Sequence, residues 1–293
     1  MSHATGIGGI TVTDDQASTP PALAAAPSAG LEDSGAGVLI EGISMTFEAG
    51  GIRTEAIADA TAKRTEGRFV SLIGPSGCGK STLLDIVGGL TQQTSGRVTI
   101  DGDEVTGPRR DTAMVFQEDS TLHWRTVLEN VAFGLEIAGV PASERDKRAQ
   151  ALVRLVGLQG FEDHRPRQLS GGMKQRVAIA RALVMDPRVL LMDEPFGALD
   201  QQTRMFIGRE LVRIWEEEAG KSVLFVTHDI HEAVFLSDEV WVMSRRPSDI
   251  QEVLQIDLPR PRHPEIINEP RFHELTAHLW DLLREESDAT LGQ

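Results

Sequence analysis

Hydrophobic residues along the chain follow two rhythms. Phe69-Val70-Ser71-Leu72-Ile73, Val189-Leu190-Leu191-Met192 and residues 222–227 are short, nearly unbroken apolar runs. Such runs predict parallel strands buried on both faces, where neither side meets water. Residues 239–243 read as one more core strand. Residues 38–47 alternate instead, which predicts a strand with Leu39, Ile43, Met45 and Phe47 on one face. Arg97-Val98-Thr99-Ile100 runs into Asp101-Gly102, a pair suited to a tight hairpin turn. Residues 113–116 form another short strand.

Between these segments the spacing becomes helical. Thr126-Val127-Leu128-Glu129 is a capping box, and Val127, Val131, Leu135 and Ala138 follow on one face. Pro141 opens a second helix with Ala151, Leu152 and Leu155 inward. Met173, Val177, Ala180 and Val184 form a third stripe. Residues 199–218 predict a further helix, and Asp229-Ile230-His231-Glu232 predicts a second capping box. Phe272, Leu275, Leu279 and Leu282 mark a last helix. A β-rich start, a helical middle and then alternating β and α predict an α/β nucleotide-binding core with a helical subdomain inserted at about residues 118–187.

Composition narrows the picture. Of 293 residues, 40% are hydrophobic and 25% charged, enough for a sizeable core. A net charge of −15 argues against broad affinity for nucleic acid or anionic membranes, which needs a basic surface. Cys78 is the only cysteine, so neither an intramolecular disulfide nor a cysteine-built zinc site is possible. No stretch approaches the ~18 apolar residues of a membrane span, so any membrane contact is expected through another protein. Residues 1–37 are rich in Ala, Gly, Pro, Ser and Thr, acidic, and without Lys or Arg. They read as a disordered tail and not as a secretory or transit signal. The expected organisation is this tail, a nucleotide-binding domain over 38–245, and a short extension over 246–293 ending in a helix.

The chemistry begins at Gly74-Pro75-Ser76-Gly77-Cys78-Gly79-Lys80-Ser81, which fits the phosphate-loop pattern at every fixed position. A strand precedes it, and Thr82 leads into a helix. Glycines let backbone N–H groups turn onto phosphate oxygens, and the helix dipole favours negative charge there. Lys80 is placed to reach the β- and γ-phosphates, and the Ser81 hydroxyl to ligate Mg²⁺. Asp193, ending an apolar run, supplies the acidic group that holds Mg²⁺ across from Ser81. Glu194 follows it and can polarise an attacking water. Cys78 is either a small space-filler or a thiol whose modification would block the loop. Leu169-Ser170-Gly171-Gly172-Met173-Lys174-Gln175-Arg176 is a second glycine turn at a helix start. Ser170 there is either an ordinary N-cap or part of a loop that closes over a nucleotide held by another subunit.

With these motifs the chain resembles the ATP-binding cassette (ABC) ATPases over about residues 38–293. Ser170, Gly171 and Gly172 match the family signature, Gln117 the Q-loop, Gly197-Ala198-Leu199-Asp200 the D-loop, and His228 the switch histidine. The resemblance implies a P-loop NTPase core of ABC type with an antiparallel β subdomain and an inserted helical subdomain. It implies a head-to-tail homodimer that holds ATP and Mg²⁺ between Lys80 and Ser81 of one protomer and Ser170 and Gly172 of the other. Glu194 would be the general base or water-orienting residue. Gln117 would sense Mg²⁺ and the γ-phosphate, and His228 would hold the γ-phosphate. Phe47 stands where the family places an adenine-stacking aromatic, although it equally suits the strand core.

Leu122-His123-Trp124-Arg125-Thr126-Val127, Phe196-Gly197-Ala198-Leu199-Asp200 and the short tail are similar to importer ATPases for nitrate, aliphatic sulfonates and taurine. His123 is a departure from the more usual proline. That branch implies transmembrane permease subunits, indirectly a solute-binding protein, and a peripheral place on the cytoplasmic face of the inner membrane, with no nucleic-acid partner. Trp124 is either an apolar anchor for the permease or part of the helical core. The alternative class is a soluble ABC ATPase of DNA repair or translation. Repair types carry a long coiled-coil insertion for which Lys80 and Ser170 are too close. Translation types usually carry two cassettes, and one is present here.

Overall fold

A computed structural model describes residues 37–62, 67–217 and 220–291. The expected tail over residues 1–37 lies outside these residues except for Gly37, whose N–H donates to the Asp101 carboxylate. The chain opens with two antiparallel strands, β1 (Val38–Ala49) and β2 (Ile52–Ala62). The inward face of β1 differs from the alternation expected. Val38, Ile40, Ile43 and Met45 are buried, Leu39 is half-buried, and Phe47 is 43% exposed. Gly42, at φ 60, interrupts the pairing between Ile40 and Ile43, and the bulge reverses the phase of the strand. β2 was not evident in the sequence. Its buried residues are mostly alanines, and adjacent Ala56 and Ile57 both face inward, so no alternation marks it.

The order continues with β3 (Phe69–Ile73), α1 (Lys80–Val87), β4 (Ser95–Ile100), β5 (Asp103–Glu104) and β6 (Thr112–Val115). Asp101 and Gly102 turn the β4–β5 hairpin as expected, at φ 57 and 86. Next come α2 (Val127–Ile137), α3 (Ala142–Leu155) and α4 (Gly171–Leu183). The capping box before α2 is formed in both directions: the Glu129 N–H meets Thr126 Oγ1 at 3.2 Å and the Thr126 N–H meets Glu129 Oε2 at 2.8 Å. α3 is rotated from the expected face, with Ala149, Leu152 and Val153 buried and Ala151 and Leu155 half-buried. β7 (Val189–Asp193), α5 (Gln201–Glu217), β8 (Ser222–Val226), α6 (Ile230–Leu236), β9 (Glu239–Met243), β10 (Ile250–Gln255) and α7 (Pro270–Leu291) complete the order. At α6 only half of the expected capping box forms. Asp229 accepts from the N–H groups of His231 and Glu232, but Glu232 turns away and accepts from the Thr227 hydroxyl at 2.7 Å. The Asp229 N–H goes to Thr227 Oγ1 instead.

The strands form a four-stranded antiparallel sheet, β2-β1-β4-β5, and a six-stranded sheet, β10-β9-β3-β8-β7-β6. In the second sheet β9, β3, β8, β7 and β6 run parallel, and β10 closes the β9 edge antiparallel. β3, β7 and β8 are buried along their whole length, as the unbroken apolar runs predicted. Alternate residues serve opposite faces. Leu190, Met192 and Phe225 pack with α2, α3 and α4, while Leu191, Leu224 and Val226 pack with α1 and the antiparallel sheet. A third cluster joins α6 and β9 to Phe272, Leu275 and Leu279 of α7. The buried Arg262 ties the segment between β10 and α7 to the end of α6, donating to the carbonyls of Val234, Phe235 and Ser237. Burial lowers its pKa to about 10. This is an α/β fold in which five parallel strands deliver their carboxyl ends to one edge, where open α/β sheets bind ligands.

Candidate active site

The phosphate loop fills the gap between β3 and α1. Its first residue is pressed onto the end of β9: a Cβ at Gly74 would lie 2.8 Å from the Met243 carbonyl oxygen. Gly79, at φ 113, precedes α1 without a side-chain cap, which leaves the first-turn N–H groups open to an anion. Pro75 is half-buried, while Ser76, Gly77 and Ser81 are exposed at the mouth and Thr82 is half-buried in the first helical turn. Lys80 is 8% exposed, and its ammonium donates to the Gly74 and Pro75 carbonyls at 2.9 Å each. A phosphate would take over that ammonium from neutral carbonyls, a favourable exchange for a charged acceptor. Cys78 is buried, and burial pushes its thiol pKa up. Of the two roles open for Cys78, the space-filler is the one this environment supports, because a reactive thiol needs a lowered pKa.

Strand order assembles the remaining groups. Gln117 follows β6, Glu194 follows β7, and His228 lies just past β8, so three neighbouring strands end in three polar side chains beside the phosphate loop of β3. Glu194 Oε2 lies 3.0 Å from His228 Nδ1 and 3.5 Å from Gln117 Nε2. Glu194 adopts φ 43, a left-handed conformation unusual for its type, and its N–H is held by the Val226 carbonyl at 3.0 Å. Such strain, of about 1–3 kcal/mol, is typical of a side chain aimed by its surroundings.

Asp193 is 6% exposed, and its Oδ1 is buried without a hydrogen-bond partner. Burial raises its pKa. The nearby Ser81 hydroxyl and the Lys80 ammonium lower it, while the Glu194 and Asp85 carboxylates push it further up. A buried carboxylate oxygen with no donor, next to a serine hydroxyl, is a hard-oxygen set that fits Mg²⁺. The cation would satisfy the orphaned oxygen and relieve the cost of the buried charge.

Ser170, Gly171 and Gly172 sit elsewhere, at the start of α4 beside the turn after β7. Ser170 Oγ caps the helix, accepting from the Met173 N–H at 3.3 Å. A Cβ at Gly172 would come within 2.9 Å of the Ala198 carbonyl oxygen, so glycine is needed there for close approach to the D-loop-like turn. Ser170 and Gly171 are exposed. Phe47 is exposed as well, which removes it from the strand core. Trp124 is 68% exposed and likewise outside the helical core.

Two residues near the site gave no signal in the sequence. Arg204, on α5, lies 3.5 Å from Asp229 and 3.2 Å from Glu232 and donates to the Leu199 carbonyl at 3.4 Å. It links the turn after Glu194 to the turn after His228. Asn130, fully buried on α2, holds the segment carrying Trp124: Oδ1 accepts from the Leu122 N–H, and Nδ2 donates to the carbonyls of Leu122, Arg125 and Thr126. Neither position departs from the helical pattern of its own element.

Residues 57–197 match the family described as ABC transporter. The nitrate import ATP-binding protein NrtD of a Synechocystis species is 48% identical over 233 residues, covering 76% of this chain and 87% of the relative. The chain belongs to the ABC transporter family. An uncharacterized ABC transporter ATP-binding protein of Methanocaldococcus jannaschii is 49% identical, over 84% of this chain and 91% of the relative. The taurine import ATP-binding protein TauB of Pseudomonas entomophila is 44% identical, over 78% and 90%. The ABC cassette MJ0796, solved as a dimer in a post-hydrolysis state with ADP and Pi, superposes with a TM-score of 0.70 at 34% identity, covering 76% of this chain and all of that one. The chain is therefore an ABC cassette, an ATP-binding and ATP-hydrolysing protein. Among the described residues no helix is long and apolar enough to cross a membrane.

Proposed function

We propose that this chain is the ATP-hydrolysing subunit of an ABC importer for nitrate, taurine, aliphatic sulfonates or a related small solute. The observation that carries the catalytic part is the meeting of Gln117, Glu194 and His228 at adjacent strand ends beside the phosphate loop. The names of the relatives NrtD and TauB support the importer part.

The geometry supports one mechanism. Residues 74–82 cradle the phosphates, with Lys80 transferring its ammonium from the loop carbonyls to the γ-phosphate. Ser81, Asp193 and Gln117 would hold Mg²⁺, which would supply the positive charge that neutralises the phosphate oxygens. Glu194 accepts a proton from, or orients, the attacking water. His228, 3.0 Å from that carboxylate, keeps it turned toward the reacting phosphate. Catalysis is then positioning and electrostatics. Phe47, exposed on β1, stacks on adenine.

The exposed Ser170 and Gly171 at the start of α4 fit a second chain's nucleotide, so the working unit is a head-to-tail homodimer closed by ATP. Trp124, held outward by Asn130, is the apolar anchor for a permease subunit. That contact keeps the protein peripheral, on the cytoplasmic face of the inner membrane, with a solute-binding protein engaged only through the permease. The test is co-purification of the permease, followed by uptake of nitrate, taurine and alkanesulfonates in cells carrying the Glu194→Gln chain. Loss of uptake of one such solute is expected. Unchanged uptake of all of them, with no permease recovered, would overturn the importer assignment.

A further inference from the structure

The segment between β9 and β10 lies against the phosphate loop, and nothing in the catalytic scheme uses it. Arg246 there donates from Nη2 to the Gly77 carbonyl at 2.7 Å, across 169 residues of sequence. The segment is anchored on both sides. Ser248 is buried and donates to the Ala56 carbonyl on β2 from both its N–H and its hydroxyl, at 3.1 Å each, while its own carbonyl accepts from the Ala58 N–H at 2.8 Å. On the other side the Arg245 N–H meets Glu286 of α7 at 2.8 Å. A long side chain is thus carried to Gly77 from a base held by a strand and a helix.

We propose that Arg246 is a positioning residue for nucleotide binding, acting by holding the peptide between Gly77 and Cys78 in one orientation. In a planar peptide the carbonyl and the N–H point opposite ways. Here the carbonyl points to Arg246, and the Cys78 N–H points to the Pro75 carbonyl at 3.3 Å. That same carbonyl receives the Lys80 ammonium at 2.9 Å. The Cys78 N–H and Lys80 therefore converge on one place, where a phosphate oxygen would replace the Pro75 carbonyl. Gly77 sits at φ 75 with nothing within 4 Å of a notional Cβ, so no side chain of its own holds its peptide, and the Cys78 N–H bond to Pro75 is long at 3.3 Å. A flip would aim a carbonyl oxygen at the phosphate. Arg246 opposes it from the carbonyl side with the shorter bond, 2.7 Å against 3.3 Å for the Cys78 N–H, and its charge strengthens that bond.

The inference rests on ATP binding at the phosphate loop, so Lys80→Ala is measured beside Arg246→Ala, Arg246→Lys and the wild type. The readouts are equilibrium titration with fluorescent ATP and ADP, and steady-state turnover. Arg246 is exposed, so the fold should survive its replacement. Arg246→Ala is expected to weaken nucleotide binding about tenfold. Its kcat at saturating MgATP should stay within about twofold, because the bond serves bound ground state and transition state alike. Arg246→Lys, which keeps a charged donor, should recover part of the affinity. Normal affinity in Arg246→Ala, with Lys80→Ala defective, would overturn the inference and leave the site assignment standing. Normal affinity in Lys80→Ala would overturn both. An Arg246→Ala defect that vanishes at about 1 M salt, where screening acts over about 3 Å, would mark a plain charge effect and also overturn it.

Discussion

Glu194→Gln removes proton acceptance while keeping the shape of the side chain. Oε2 lies 3.0 Å from His228 and accepts from Gln117 at 3.5 Å, so an isosteric amide that presents its oxygen at that place leaves the cluster assembled. The loss expected is that of a general base, ~10²–10⁴ in turnover. A thousandfold loss corresponds to about 4 kcal/mol on the barrier. Nucleotide binding should survive, because Lys80 and the loop are untouched. It should even tighten, since the Glu194 carboxylate is one of the groups that disfavour the ionised form of Asp193. The assay is phosphate release at saturating MgATP, beside a titration with fluorescent ATP. In the same variant ATP is no longer consumed, so light scattering should show a dimer that depends on ATP. Turnover near wild type would refute the role given to Glu194. A monomer at saturating ATP would refute the composite site built from Ser170 and Gly172.

Asn130→Ala would take the side-chain partner from the Leu122 N–H and the Arg125 carbonyl, while the Leu122 and Thr126 carbonyls keep the backbone N–H groups of Arg125 and Asn130, and should cost about 2–4 kcal/mol by urea denaturation. A loss under about 1 kcal/mol would mean that the segment carrying Trp124 is held some other way. Glu232→Gln should give a pH-dependent gain. Burial raises the Glu232 pKa above 4.5 despite the hydrogen bond from Thr227 and the nearby Arg204. The folded state therefore binds the proton more tightly than the unfolded one. The charged carboxylate costs stability at and above its raised pKa, and the cost is relieved as pH falls through it. The variant should melt higher than wild type at neutral pH, with the gap closing on acidification. A gap independent of pH would refute this assignment of the cost.

Local chemistry was readable from the chain alone. The phosphate loop, the capping box at Thr126 and the unbroken strands β3, β7 and β8 each depend on neighbours a few residues apart, so their signals lie within short windows. The inward face of β1 was misjudged because a bulge at Gly42 reverses an alternation that the sequence shows as continuous. β2 was missed because alanines carry little hydrophobic contrast, and the Asp229 box was half wrong because Thr227 offered Glu232 a better partner. The site depends on strand order. Gln117 and Glu194 are 77 residues apart, and Glu194 and His228 are 34 apart. They meet because β8 inserts between β3 and β7, and β6 adds beyond β7, so that each buried strand covers both faces with apolar neighbours. The bond from Arg246 to Gly77 belongs to the same class. The sequence determined which groups could bind phosphate and move a proton. Only the packing of the sheet decided which of them share a site, because burial of whole strand faces sets that order and no local pattern encodes it.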